Sequence, residues 1–282
     1  MKRRVKRGEW AGALFLLPSL GGVLVFVLVP FVDVIRRSFA NAITEEWVGL
    51  KNYGDVLANP AFRLACWNTL RFSAVCLPAL LGISLVIGVI LQKKTKLGDG
   101  VKTAFLFPMA IPVASVVLVW RVLFEKQGLL NGLLNSWGLS TVEWMDSPTA
   151  FWVLVGSYLW KNLGYDVVLW MAGLSSISNA IYEAARIDGA GEWTIFRRIT
   201  LPCLLPTLFT VSVLSLLNSF KVFREAYLVA GDYPHRSMYL LQHLFNNWFR
   251  DLSFDRMAAG AVLTAMVILC LIGLLRKGFD RE

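Results

Sequence analysis

The stretch Phe72-Ser73-Ala74-Val75-Cys76-Leu77-Pro78-Ala79-Leu80-Leu81-Gly82-Ile83-Ser84-Leu85-Val86-Ile87-Gly88-Val89-Ile90-Leu91-Gln92 holds no Asp, Glu, Lys or Arg, and is followed at once by Lys93-Lys94. About 20 consecutive apolar residues in a helix cross the hydrocarbon core of a bilayer, so this stretch predicts a transmembrane helix. Outward from it, residues 10–32, 103–120, 199–220 and 257–275 are equally free of charge. Residues 151–174 are apolar but interrupted by Lys161 and Asp166. The expectation is an all-α, polytopic transmembrane bundle of six spans. Pro18, Pro78, Pro112 and Pro206 fall within these spans; membrane helices tolerate them because neighbours satisfy the freed carbonyls.

Composition agrees. Of the 282 residues, 56% are hydrophobic and 17% charged, against about 45–50% and 25% for a soluble domain. The 11 Trp and 18 Phe suit a chain with long lipid–water interfaces. The net charge of +9 does not point to nucleic acid, because Lys and Arg gather at the ends of the apolar runs.

Lys and Arg also set the orientation, since they favour the cytoplasmic side. They crowd the N-terminus (Lys2, Arg3, Arg4, Lys6, Arg7), the loop after the second span (Lys93, Lys94, Lys96, Lys102), the loop after the fourth (Arg186, Arg197, Arg198) and the C-terminus (Arg276, Lys277, Arg281). Both termini are expected inside. The domain reading is a cytoplasmic N-terminus at 1–9, a six-span membrane domain at 10–275 with a cytoplasmic loop at about 175–200, and a cytoplasmic C-terminus at 276–282. A signal peptide also starts with basic residues, and Ala40-Asn41-Ala42 resembles a cleavage site. The first apolar run is too long for one, since signal peptides carry about 7–15 apolar residues, and it is read as a retained span.

Cys66, Cys76, Cys203 and Cys270 have no metal-like spacing, and the two histidines, His235 and His243, share one predicted outer loop. Neither a metal site nor a disulfide is expected. No nucleophile with its base and no paired carboxylates mark an enzyme. The nearest run to a phosphate-cradling loop, Gly100-Val101-Lys102-Thr103, lacks the first Gly and carries an inserted Val, so any ATP and Mg would belong to a partner.

The loop between the fourth and fifth spans carries the most information. Glu183, Ala184, Ala185, Gly189, Ile199, Leu201 and Pro202 reproduce Glu-Ala-Ala, three residues, Gly, nine residues, Ile, one residue, Leu-Pro. This resembles the cytoplasmic loop signature of permease subunits in importers of the ATP-binding-cassette (ABC) superfamily. The resemblance implies the type I importer permease fold and an ATPase-docking loop in which Glu183, Ala184, Ala185, Asp188 and Gly189 take part. Small alanines admit a partner surface closely, Gly189 permits a turn, and Pro202 suits the first turn of a restarted helix.

Phe15-Leu16-Leu17-Pro18, Val48-Gly49-Leu50-Lys51-Asn52-Tyr53, Asn68-Thr69-Leu70, Trp160-Lys161-Asn162-Leu163-Gly164-Tyr165 and Ser219-Phe220-Lys221-Val222-Phe223 are similar to the maltose and glycerol-phosphate branch. That implies a sugar-like solute, a second permease chain in a heterodimer, two ATPase copies, an extracytoplasmic solute-binding protein and the bacterial cytoplasmic membrane. Ser178 replaces a usual Pro before the docking helix, and Gly231-Asp232-Tyr233-Pro234 replaces a more Gly-rich run.

Polar groups in a span tend to face the bundle interior and mark pathways. Tyr158, Asn162 and Tyr165 share one helical face. Ser212, Ser215 and Ser219 share another, with Asn218 beside them. The resemblance places Tyr158, Asn162, Tyr165, Ser215, Asn218 and Ser219 at or near the sugar pathway; Ser and Asn also commonly glue helices together. Lys161 and Asp166 stand about 140° apart on their helix and are expected to pair with neighbouring helices rather than with each other. The alternative reading is a stand-alone, ion-coupled secondary transporter with those two residues as its relay. It leaves the loop signature unexplained, and the internal repeat such proteins often carry is missing.

Overall fold

The computed structural model describes residues 14–93 and 99–279, without the side chains of residues 93, 99–103 and 279. The basic N-terminus at 1–9, together with Lys94, Lys96 and Arg281, lies outside the described residues. Among the described residues, the regular structure is helical apart from one isolated bridge, Ala40 to Trp47. Contacts divide the chain into two units, Met1–Phe62 with Phe245–Ile268 and Arg63–Leu244 with Leu269–Glu282.

In the first unit, α1 runs Leu14–Ser38. It holds a widened turn, Leu24–Leu28, just before Pro30; Pro30 has no N–H for the regular ladder, and a π-turn absorbs the mismatch. Four positions of the predicted first span, 10–13, are outside the described residues, and the helix continues past residue 32. None of its apolar window is buried, and Phe15 and Phe26 are 87% and 80% exposed. Lipid accounts for such a surface; water does not. The helix stops where polar groups take over. Ser38 Oγ donates to the Ile35 carbonyl (2.6 Å) and meets the Tyr53 hydroxyl (2.7 Å). From α2 (Lys51–Ala58), Asn52 Nδ2 donates to the carbonyls of Ser38 (3.0 Å) and Ala40 (2.9 Å). Further along the unit, the rings of Phe62 and Trp248 stack at 6.2 Å, and Gly260 leaves room for the rings of Phe245 and Trp248.

α3 (Pro60–Lys93), which belongs to the second unit from Arg63 onward, is about 50 Å long at 1.5 Å per residue and keeps Pro78 in its interior. The third predicted span is broken. α4 (Asp99–Ala110) ends, and α5 (Val113–Phe124) starts after Ile111-Pro112. The segments Ala104–Ala110 and Val113–Ser136 meet at 98°. Pro112 causes the break: it is extended at φ −57°, ψ 143°, disfavours a helical residue before it, and its carbonyl then accepts from Ser115 and Val116 to restart the ladder. In α6 (Leu129–Ser136), Asn131 ties the following loop to this helix. It donates to Val142 O (3.0 Å) and accepts from Trp144 Nε1 (3.1 Å).

α7 (Ala150–Ser175) is the core helix. Phe151, Leu154 and Tyr158 pack with Phe72, Cys76 and Leu80 of α3 and with Val116 and Trp120 of α5. Farther along, Trp170 and Leu174 pack with Leu204 and Val211, and Trp170 Nε1 donates to Ser84 Oγ at 2.9 Å. Glycine lets backbones approach. A Cβ on Gly164 would lie 1.6 Å from the Phe105 carbonyl oxygen of α4, and one on Gly173 would lie 2.4 Å from Thr207 Oγ1.

The chain continues through α8 (Asn179–Ile187), α9 (Glu192–Ile195), a π-turn at Phe196–Thr200 and a short turn at Leu201–Cys203 into α10 (Leu205–Ser219). The predicted fifth span at 199–220 is therefore displaced, and the continuous apolar helix is Leu205–Ala230, including α11 (Phe223–Ala230). α12 (Leu241–Arg250) and α13 (Phe254–Phe279) complete the chain. Among the described residues, four helices are long and apolar enough to cross a membrane: Leu14–Ser38, Pro60–Gln92, Leu205–Ala230 and Phe254–Gly278. The bent pair makes a fifth if counted as one span. α7 matches them in length but carries Lys161 and Asp166.

Candidate functional site

The signature loop folds as an exposed helix with a defined stop. Ser178, before α8, sits at φ −62°, ψ 133°, a conformation proline adopts readily, so Ser there preserves the path of the chain. Gly189 has φ +77°. Around it, Gly189 N–H donates to Arg186 O (3.1 Å) and Ala190 N–H to Ala185 O (2.9 Å). These are the two bonds of a Schellman stop, with glycine at the left-handed position. Arg186 pairs with Glu192 across the turn at 3.2 Å, and the hydroxyls of Tyr182 and Thr200 are 3.3 Å apart.

No residue of α8 is buried. Glu183, Ala184, Asp188 and Gly189 are exposed and Ala185 half-buried. Ile187 and Trp193 are 87% and 71% exposed. A nine-residue helix is marginal in water without packing, and this one packs Tyr182 in part against Trp170, Leu174 and Leu204 while turning Ile181 and Ile187 outward. Behind it, a cavity of about 540 Å³ is lined by Leu85 and Val89 of α3 and by Tyr182, Glu183, Trp193 and Phe196 of the loop.

The polar seam lies deeper, between α7 and α10. Tyr158 Oη donates to the Ser215 carbonyl (2.7 Å), and Ser215 Oγ donates to Asp166 Oδ2 (2.7 Å). Asp166 Oδ1 is buried without a partner. Asn162 Nδ2 donates to Tyr158 O (2.9 Å), and Ser219 Oγ donates to Leu216 O (2.6 Å). A cavity of about 130 Å³ is lined by Tyr158, Lys161, Asn162, Asn218, Lys221 and Glu225, among others.

Of the six residues expected along the pathway, Tyr158, Asn162 and Asn218 come together at this cavity. Tyr165, Ser215 and Ser219 do not line it; the two serine hydroxyls are spent on bonds within the protein. Lys161 forms an ion pair with Glu225 of α11, and Asp166 takes Ser215. The pairing with neighbouring helices is as expected from the helical angle, and no relay joins the two residues. Glu225 itself was missed, because its segment reads as the start of an outer loop. The signal was present: it is the lone acid between residues 199 and 231.

An all-helical membrane chain with an exposed, glycine-stopped cytoplasmic-type loop defines a transporter permease. The family described as binding-protein-dependent transport system inner membrane component matches residues 81–281, and the chain belongs to it. It is the permease subunit of a binding-protein-dependent ABC importer, not an enzyme, and ATP hydrolysis belongs to a separate subunit.

Among curated proteins, it is 33% identical over 267 residues to the trehalose/maltose transport system permease protein MalF of Thermococcus litoralis, covering 92% of this chain and 90% of that one. It is 30% identical to the arabinooligosaccharides transport system permease protein AraP of Bacillus subtilis, covering 92% and 84%. It is 28% identical to the inner membrane ABC transporter permease protein YcjO of Escherichia coli, covering 96% and 95%. Among solved structures, a chain of a bacterial ABC transporter involved in import of the acidic polysaccharide alginate superposes with a TM-score of 0.84 at 23% identity, covering 99% and 98%. At that identity the likeness concerns the fold.

Proposed function

We propose that this chain translocates a sugar or sugar-like solute by alternating access across the bacterial cytoplasmic membrane, as one half of a channel completed by a second, different permease. In this reading it crosses the membrane six times, with α7 as the charged fourth span and both termini in the cytoplasm. Two copies of an ABC ATPase, carrying ATP and Mg, dock on the loop through Glu183, Ala184, Ala185, Asp188 and Gly189. An extracytoplasmic binding protein delivers the solute. Tyr158, Asn162 and Asn218 contact it in the pathway, and Tyr165, Ser215 and Ser219 hold the helices that position them.

The observation that carries the docking role is α8 itself. It holds the first three of the seven signature positions, Glu183, Ala184 and Ala185, the glycine at the fourth fixes where it ends, and no residue of it is fully buried against its own chain. Such a helix needs a partner surface for its apolar side chains. The sugar reading is supported by the relatives, whose names give trehalose, maltose and arabinooligosaccharides as cargo. The binding-protein partner is supported by a solved alginate ABC transporter in complex with a periplasmic protein bound to an alginate pentasaccharide.

The test is affinity purification of the chain from native membranes in mild detergent, with ATPase activity and partner chains measured in the eluate, for the natural chain and for Gly189→Asp. Recovery of an ATPase and a second permease, lost or uncoupled in the variant, is the expected result. A chain that emerges alone from both preparations while uptake persists would overturn the docking reading and favour an ion-coupled transporter.

A further inference from the structure

The small cavity between α7, α10 and α11 has a charge imbalance that a neutral solute leaves unused. Its charged lining is Lys161, Lys221, Arg224 and Glu225, three cations and one anion. Lys161 is neutralised by Glu225. Lys221 gives its ammonium to a neutral acceptor, Asn218 Oδ1, at 2.7 Å. Among the described residues, Arg224 has neither a hydrogen bond nor an ion pair. Two positive charges are thus uncompensated within the apolar segment Leu205–Ala230. Charge inside a span is costly and tends to mark a pathway.

Glu225 does not offset those two charges. It is 4% exposed, and its charge is spent on Lys161 inside the protein. The cavity, at about 130 Å³, is smaller than the roughly 300–1,000 Å³ of a complete ligand pocket. It has the size of a subsite for one polar end of a solute.

We propose that this subsite receives the acid group of an anionic, hydroxyl-bearing solute, an acidic sugar rather than a neutral one. Arg224 and Lys221 are its counter-charges. A neutral sugar leaves both cations without a partner charge. The proposal rests on the permease reading above and assigns the chemical class of its cargo.

The test uses cells that carry the complete transporter, with this chain natural, deleted or substituted. They are fed a mixture of neutral oligosaccharides and of uronate-bearing, sulfonated and phosphorylated sugars. Loss of each sugar from the medium is followed by mass spectrometry, and membrane content of the chain and its ATPase is measured in parallel. The expected result is uptake of one acidic class that needs the chain, falls at least tenfold in Arg224→Gln with Lys221→Gln, and returns in Arg224→Lys. Both side chains are exposed, so loss of uptake with undiminished membrane content reports charge rather than folding. The three acidic arms identify which acid group is carried.

Uptake of neutral sugars alone would overturn the proposal and leave the importer reading standing. Acidic-sugar uptake untouched by the double substitution would overturn the assignment to this cavity. No chain-dependent sugar uptake, with the ATPase still co-purifying, would overturn the sugar reading and this proposal together.

Discussion

Replacing Gly164 by Ala adds a single methyl group where two helix backbones touch. The new Cβ would lie 1.6 Å from the Phe105 carbonyl oxygen and 2.3 Å from its carbon. An ordinary carbon–oxygen contact is about 3.3 Å, so the helices must separate locally by about 1.7 Å. A flexible side chain would swing away at small cost, but here the obstacle is the backbone of α4, which moves only by disturbing its packing on α7. Overpacking a core by one carbon costs about 1–3 kcal/mol when side chains can adjust; with backbone as the obstacle, about 3 kcal/mol or more is expected. At roughly 2–4 °C per kcal/mol for a chain of this size, the unfolding midpoint in detergent should fall by about 6 °C or more. Gly156→Ala is the control. It lies in the same helix, where an added methyl meets no atom within 4 Å, and Ala is favoured over Gly in a helix interior by about 0.5–1 kcal/mol, so its midpoint should hold or rise. A Gly164→Ala protein that melts with or above the natural one would refute the claim that backbone contact sets the spacing of α4 and α7.

Lys161→Ala leaves Glu225 buried without its cation and is expected to cost about 3–5 kcal/mol. Lys161→Met combined with Glu225→Leu should recover most of that in thermal unfolding, whereas additive losses would contradict a direct pair. Gly189→Ala meets no atom within 4 Å; it forces a Cβ into left-handed backbone at about 1–2 kcal/mol. It should therefore leave the transmembrane body's melting unchanged while lowering ATPase recovery on co-purification, and an undiminished yield would count against the docking loop. His243 lies outside the candidate spans and is fully buried. Its Nδ1 accepts from Leu240 N–H, and its Nε2 has no partner. Burial pulls its pKa from 6.5 down to about 4. The folded pKa is the lower one, so below about pH 6.5 the unfolded chain takes a proton that the folded chain refuses. Stability should fall by about 1.4 kcal/mol per pH unit between these values, about 3 kcal/mol in all, and level off below pH 4. Melting curves from pH 7.5 to pH 4 should show that slope in the natural protein and lose it in His243→Gln.

The class of protein was legible in the sequence because membrane solvation is a local constraint. Each span must satisfy its own backbone in hydrocarbon, so uninterrupted apolar runs report themselves without knowledge of the fold. The Glu183 to Pro202 pattern was legible for a similar reason: its helix, its glycine stop at φ +77° and its proline restart are each decided within a few residues. The third span shows the limit. Residues 103–120 are free of charge and read as one helix, yet Pro112 breaks them, while Pro78 passes through the middle of α3. The third span carries a second proline, Pro108, four residues before Pro112, whereas Pro78 stands alone in the interior of α3; hydropathy is blind to that difference.

The candidate pathway divides along the same line. Helical periodicity placed Tyr158, Asn162 and Tyr165 on one face and showed that Lys161 and Asp166 do not meet each other. It gave no means of knowing that Lys161 meets Glu225, 64 positions away, or that Ser215 spends its hydroxyl on Asp166. Such partners depend on the rotation of one helix against another, set by side-chain packing and by close approaches such as Gly164 on Phe105. Sequence alone determined that this chain lives in a membrane and carries the permease loop signature. Only the tertiary structure decided which charges are paired and which are left facing a cavity, because pairing needs groups within a few ångströms and a linear order of residues carries no distance between helices.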